Sequence, residues 1–167
     1  MSAWSLLVLG AGMVAAVWDW RTRRIPRWLT VPAFFVGLAH AGLTGMLTSS
    51  LAAAGLGLGL GLMLLQLDAF GGGDAKWLAA TGALLGWHLW WWSVSIAMIA
   101  AAVWALAQLA ARNRLWFLAS DLGAIARGWR ERGLKPHPEH RLANPAMAAA
   151  PFGVAMGIGL AWALLLR

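Results

Sequence analysis

Cysteine and tyrosine are absent from this chain of 167 residues, and charge is scarce. Without cysteine there is no disulfide, no thiolate zinc site, no cysteine nucleophile and no lipid on sulfur. Only 11% of the residues are charged and 61% are hydrophobic, and the mean hydropathy is +0.69. An ordinary soluble domain is about 25% charged and about 45–50% apolar. The composition therefore excludes one and reads as an integral membrane protein. Acids are scarcest, 6 against 13 Lys and Arg, for a formal charge of +7. The basic residues gather between apolar segments, so orientation in a bilayer accounts for them, and no nucleic-acid partner is expected.

What the chain has in quantity is apolar sequence and tryptophan. A membrane helix needs about 20 mostly apolar residues. Six candidates appear, at 3–18, 28–47, 51–67, 77–92, 93–111 and 144–166; the first and fourth are short, so their ends are expected to draw in neighbouring polar residues. The expectation is one all-α membrane-embedded domain over residues 1–167, with six transmembrane helices. Arginines rather than a cleavage site follow the first run, so it reads as a retained helix and not a signal peptide. Six helices place alternate connections on opposite sides. All of the 13 basic residues except Arg167 then fall on one side. Positive charge stays cytoplasmic, which puts both termini outside.

Between Leu51 and Leu67, Gly55 with Gly59 and Gly57 with Gly61 form two overlapping small-residue pairs suited to close helix contact. Trp87, Trp90, Trp91 and Trp92 read as an aromatic belt at the outer boundary. His40 and His88 lie toward that side without ligand spacing, so neither a metal site nor a cofactor is expected. In the polar loop 112–143, Leu115, Leu118, Leu122, Ile125 and Trp129 recur at helical spacing, and arginines gather behind them. That pattern predicts an amphipathic helix on the membrane surface; a lid over the site is the other reading.

Two acids stand out because a carboxylate at a membrane boundary is costly. Asp19 follows the first apolar run and precedes Arg21, Arg23, Arg24, Ile25 and Pro26; Asp74 follows Gly71, Gly72 and Gly73 and precedes Lys76. Two carboxyls that share a site share a proton. The ionised one draws a proton from water, and the protonated one polarises a carbonyl and later protonates the leaving amine. The glycines before Asp74 let the chain bend and a substrate backbone approach. Ile25-Pro26 makes a short fixed turn after Asp19. Lys76 suits a substrate carbonyl, a headgroup or plain anchoring. Asp68 competes with Asp74 for the role, whereas Asp121 and Glu139 sit in the polar loop.

Gly71-Gly72-Gly73-Asp74-Ala75-Lys76 resembles the GxGD-x-K motif of type IV prepilin peptidases, aspartic peptidases of the bacterial inner membrane. Asp19 to Pro26 resembles their other motif, an Asp followed by basic residues and Ile-Pro. Pro151-Phe152-Gly153 resembles the segment that opens their last helix. The resemblance implies a catalytic pair of Asp19 and Asp74, supported by Gly71, Gly73, Lys76, Pro26, Pro151 and Gly153. It also implies six helices, an active site at the cytoplasmic membrane face, and prepilin or pseudopilin substrates with a basic leader and a hydrophobic helix. Arg27 stands where that family usually has Asn. The chain lacks the cysteine-bearing region of the members that also methylate, so peptidase activity alone is expected. The compact form is similar to the peptidases of tight-adherence (Flp-type) pilus systems. Presenilin-like proteases match less well, because Tyr precedes their first aspartate and Trp18 stands here. A small transporter with intramembrane acids, and an inactive relative that assists pilus assembly, are the competing functions.

Overall fold

The computed structural model of the chain describes residues 2–67, 70–112 and 151–165. They form α1 (Ala3–Thr22), α2 (Arg27–Leu43), α3 (Leu47–Gln66), α4 (Gly72–Ala111) and α5 (Phe152–Leu165). Asp68, the predicted surface helix after Arg112 and the predicted start of the last helix at 144–150 lie outside the described residues.

Ser2 opens α1, its hydroxyl accepting the Ser5 N–H at 3.2 Å. Sequence hydropathy predicts an end at Trp18, but the helix runs on to Thr22 and takes Asp19 into its last turn. Hydropathy marks where lipid stops, whereas Asp19, Trp20 and Arg21 are all able to continue a helix. Arg23 ends it with φ 54°, the one positive φ of a non-glycine among the described residues. That conformation costs a residue with a Cβ about 1–2 kcal/mol. The Arg23 N–H donates to the Asp19 carbonyl at 2.8 Å, and the Thr22 hydroxyl is within 3.0 Å of the Trp18 and Arg24 carbonyls. Pro26 then opens α2, its carbonyl accepting from Leu29 and Thr30 at 3.2 Å each.

A straight 40-residue α4 would be about 60 Å long, twice the hydrocarbon core. It is not straight. Gly86 has φ 69° and ψ 176°, which glycine adopts without a Cβ clash. The Trp90 indole N–H reaches the Leu78 carbonyl at 3.1 Å, although twelve residues along a straight helix would separate them by about 18 Å. Trp104 packs edge-on against Trp20 with ring centroids 5.9 Å apart. Residues 87–111 therefore run back beside residues 72–85. The Ser49 hydroxyl accepts the Trp87 N–H at 2.8 Å and so caps the returning half. The expected boundary at Trp92 and Ser93 is thus corrected to Gly86. The run of tryptophans kept the pattern apolar across the real turn. It is also no uniform belt, since Trp87, Trp91 and Trp92 are exposed while Trp90 is fully buried.

Against the six spans expected, three helices among the described residues are long and apolar enough to cross a membrane: α1, α3 and α4. The difference arises because α4 is a single folded run, while α2 and α5 are 17 and 14 residues long. Met13, Phe35, Leu43, Ile99, Val103 and Leu165 are exposed around the outside, the apolar exterior that a bilayer requires.

The first half of α4 is the centre of the fold, buried without a break from Trp77 to Leu84. A helix buried on every side needs neighbours that approach its backbone. Glycines supply the approach. A Cβ at Gly57 would lie 2.6 Å from the Leu78 carbonyl oxygen, one at Gly61 2.6 Å from Ala75 Cα, and one at Gly37 2.7 Å from the Ala83 carbonyl carbon. Only one of the two predicted glycine pairs is in contact, because Gly55 and Gly59 meet nothing within 4 Å. α5 packs between α1 and the returning half of α4, with Gly159 against the Ser93 carbonyl and Gly12 against Leu160.

Gly61→Val will therefore destabilise by about 1–3 kcal/mol through overpacking, whereas Gly59→Ala will be neutral or stabilising by up to about 1 kcal/mol through helix propensity. Thermal unfolding of the two variants in detergent separates them.

Candidate active site

The last turn of α1, the turn into α2, the start of α4 and the start of α5 meet at one end of the bundle. Every described Lys and Arg is at that end: Arg21, Arg23, Arg24, Arg27, Lys76 and Arg112. The two acids picked out by sequence are there too, each inside a helix rather than in a connecting loop.

Asp19 is 3% exposed. Its Oδ2 accepts the Gly153 backbone N–H at 2.7 Å, across 134 residues of chain. The N–H groups in the first turn of a helix have no partner within it, so Asp19 caps α5 from outside. Pro151 begins that helix, its carbonyl accepting from Val154 at 3.1 Å and Ala155 at 3.3 Å. Gly153 must be glycine for the approach, since a Cβ there would lie 2.7 Å from Asp19 Cβ and 3.1 Å from the Ala15 carbonyl oxygen.

Asp74 is half-buried in the first turn of α4. Its Oδ2 accepts the Gly71 N–H at 2.9 Å, and its own N–H returns to the Gly71 carbonyl at 3.1 Å. An acid in this position also suits the positive end of the helix dipole. A Cβ at Gly73 would lie 2.8 Å from the Ile25 carbonyl oxygen and 3.0 Å from its nitrogen. Gly73 thus lets α4 seat directly on the turn that follows Asp19. Gly72 meets nothing within 4 Å.

Two side chains that sequence reasoning gave no separate role join these pieces. Phe70 precedes Gly71, Phe152 precedes Gly153, and their rings are 4.4 Å apart. The aromatic pair clamps together the two segments that donate to the aspartates. Ile25, buried at 4% exposure, fills the space beneath Gly73. Of the predicted supporting residues, Gly71, Gly73 and Gly153 touch or support an aspartate. Pro26 and Pro151 set helix starts, while Lys76 is exposed on α4. No sequence signal distinguishes Phe70 as a clamp, since its partner is 82 positions away and the pairing exists only in the fold.

Residues 6–106, more than half of the chain, match the profile of the type IV leader peptidase family. The chain belongs to that family. No curated protein and no solved structure matches it. Membership implies an aspartic peptidase of the inner membrane with prepilins as the substrate class. The matched stretch of this leader peptidase contains Asp19, Pro26, Gly71, Gly73, Asp74 and Lys76, whereas Pro151 and Gly153 lie beyond it.

Gly153→Ala should displace α5 from Asp19 and lower leader cleavage at least about tenfold, a 1 Å error at a reacting centre being worth up to about a hundredfold. Gly72→Ala, beside Asp74 but facing open space, should retain wild-type cleavage. A gel-shift assay of prepilin processing compares them.

Proposed function

We propose that this leader peptidase cuts the basic leader from type IV prepilin-like proteins at the cytoplasmic membrane face, with Asp19 and Asp74 activating water as a pair. The observation that carries the reading is the joint anchoring of both motif acids at the charged end of the bundle. Each takes a backbone N–H from a helix start, and an aromatic contact binds those two starts together.

The chemistry of this reading is that of two carboxyls sharing a site. Both carboxyls are not ionised at once, so the pair carries a single proton. The carboxylate takes a proton from water as the water oxygen attacks the scissile carbonyl. The carboxylic acid donates to the carbonyl oxygen as the tetrahedral intermediate forms, and proton transfer to nitrogen then releases the amine. Fixing both groups through backbone bonds gives them a geometry that does not have to be found at each turnover.

The orientation belongs to the same reading. Among the described residues the helices make six runs along the bundle, with α4 contributing two. We assign all six to the bilayer, both termini outside and the basic end in the cytoplasm. A substrate's hydrophobic helix would lie against the apolar exterior, leaving its basic leader at the charged boundary. Peptidase activity without methylation, and kinship with the compact Flp-type enzymes, complete the proposal.

Asp19→Asn and Asp74→Asn should each reduce processing of a co-expressed prepilin by at least about a hundredfold, the usual worth of a general acid or base. Asp68→Asn should process normally. Cleavage by both dyad variants would overturn the mechanism.

A further inference from the structure

One buried donor has no part in the chemistry above. Trp77 and Trp90 are both fully buried. The Trp90 indole N–H has the Leu78 carbonyl at 3.1 Å, whereas the Trp77 N–H has no acceptor among the described residues. A buried N–H left unpaired is costly. The Ser93 hydroxyl is also unpaired, but a serine in a helix can rotate onto the carbonyl one turn before it. An indole N–H is fixed in its ring and takes its direction from the packing of the whole side chain.

Trp77 stands three residues after Asp74 in α4, a spacing that puts both on one face. The other faces of this half-helix are taken. Gly61 and Gly57 of α3 meet Ala75 and Leu78, Gly37 of α2 meets Ala83, and Ile25 meets Gly73. The face of Asp74 and Trp77 is left to α1 and α5. From α1, the Trp4 indole N–H reaches the Leu84 carbonyl at 3.3 Å. From α5, Phe152 reaches Phe70. A long side chain in a helix leans back over the preceding turn, which here is the turn of Asp74. The indole thus floors the gap that Asp19 and Gly153 close from the other side.

Each aspartate commits Oδ2 to a backbone N–H, Asp19 to that of Gly153 and Asp74 to that of Gly71, and neither bond uses Oδ1. A water between the two Oδ1 atoms has an acceptor for each of its hydrogens. The indole N–H is the donor that its oxygen then needs. Buried waters ordinarily have about three such partners.

Resting on the dyad reading above, we propose that Trp77 is a third catalytic residue, whose indole N–H holds the attacking water against the two carboxyls. The N–H occupies one lone pair of the water oxygen and leaves the other for the scissile carbonyl carbon. As that C–O bond forms, the ionised carboxyl takes one proton from the water. The carbonyl π electrons move onto their oxygen, which takes the proton of the other carboxyl. The indole keeps its own proton throughout.

The test is steady-state cleavage of a purified prepilin, with a basic leader ending in Gly, by the full chain in detergent. Trp77 is replaced by benzothienylalanine, which keeps the fused rings and puts sulfur where the N–H was. Loss of one preorganised donor at a reacting centre costs about a hundredfold or more, so kcat should fall at least about tenfold. KM should stay within about twofold and Tm at the wild-type value, because the folded protein loses no hydrogen bond. The same replacement at Trp90 should do the reverse, lowering Tm with kcat within about threefold, since that N–H serves the Leu78 carbonyl. Wild-type kcat in the enzyme altered at Trp77, while Asp19→Asn and Asp74→Asn are inactive, would overturn this proposal and leave the dyad standing. A loss of kcat accompanied by a lower Tm would also overturn it, by assigning Trp77 to packing. Activity in the two aspartate variants would instead overturn the dyad itself.

Discussion

The hydrogen bond from the Gly153 N–H to Asp19 joins the first described helix to the last and fixes what surrounds it. α5 approaches α1 closely enough to make that bond only because residue 153 has no side chain. Once α5 is there, Phe152 is delivered to Phe70, and Phe70 holds the chain entering Gly71. Gly71 in turn anchors Asp74. A contact between residues 134 positions apart thus propagates, through one aromatic pair, to the second acid. Asp19 and Asp74 are positioned by backbone and by ring packing rather than by a network of polar side chains among the described residues. That suits an environment in which stray polar groups are costly.

The same economy governs the bundle. In lipid, apolar surface gives helices no reason to prefer each other, so packing quality decides association. The first half of α4 is contacted through Gly37 and Gly57 and through Gly61 beside Ala75, so its neighbours touch backbone rather than side chain. The return at Gly86 brings Trp90 over the Leu78 carbonyl and against Gly57. One buried indole N–H thereby finds an acceptor, and a large side chain fills the space left by a small one. α4 can hold Asp74 steady because the rest of its first half has nowhere to move.

The residue types of the candidate site could be picked out in the sequence, but not the geometry that arranges them. Asp19 and Asp74 stand out as acids in an apolar chain, and the glycines before Asp74 and the prolines at 26 and 151 mark helix starts. Hydropathy alone stops at Trp18 and resumes at Trp77; the shortness of those two segments pointed to an extension into polar residues, and the helices do take in Asp19 and Asp74, but the residue at which each ends was not legible. That difference matters for mechanism, because an acid in a helical turn is held far more firmly than one in a loop. The turn at Gly86 was masked by an unbroken apolar run, and nothing local separates it from Gly82, which serves packing. Gly55 and Gly57 likewise look equivalent in sequence. Two residues are about 200° apart on a helix, so one meets α4 and the other faces outward.

The unequal exposure of the two acids suggests how water reaches an otherwise apolar site. Asp19 is sealed between α1 and α5, whereas Asp74 is half-buried and opens toward the charged end. A hydrolase at a membrane edge has to admit water to the scissile bond without wetting the bundle. Burying one carboxyl deeply makes it costly to hydrate and dependent on its fixed donors. Leaving the other at the rim gives water and an extended peptide one side from which to enter. The substrate's apolar helix would then remain in lipid while its polar leader crosses the rim past Asp74. On this geometry the bilayer does part of the positioning: it fixes the height of the substrate, and the helix starts fix the height of the acids.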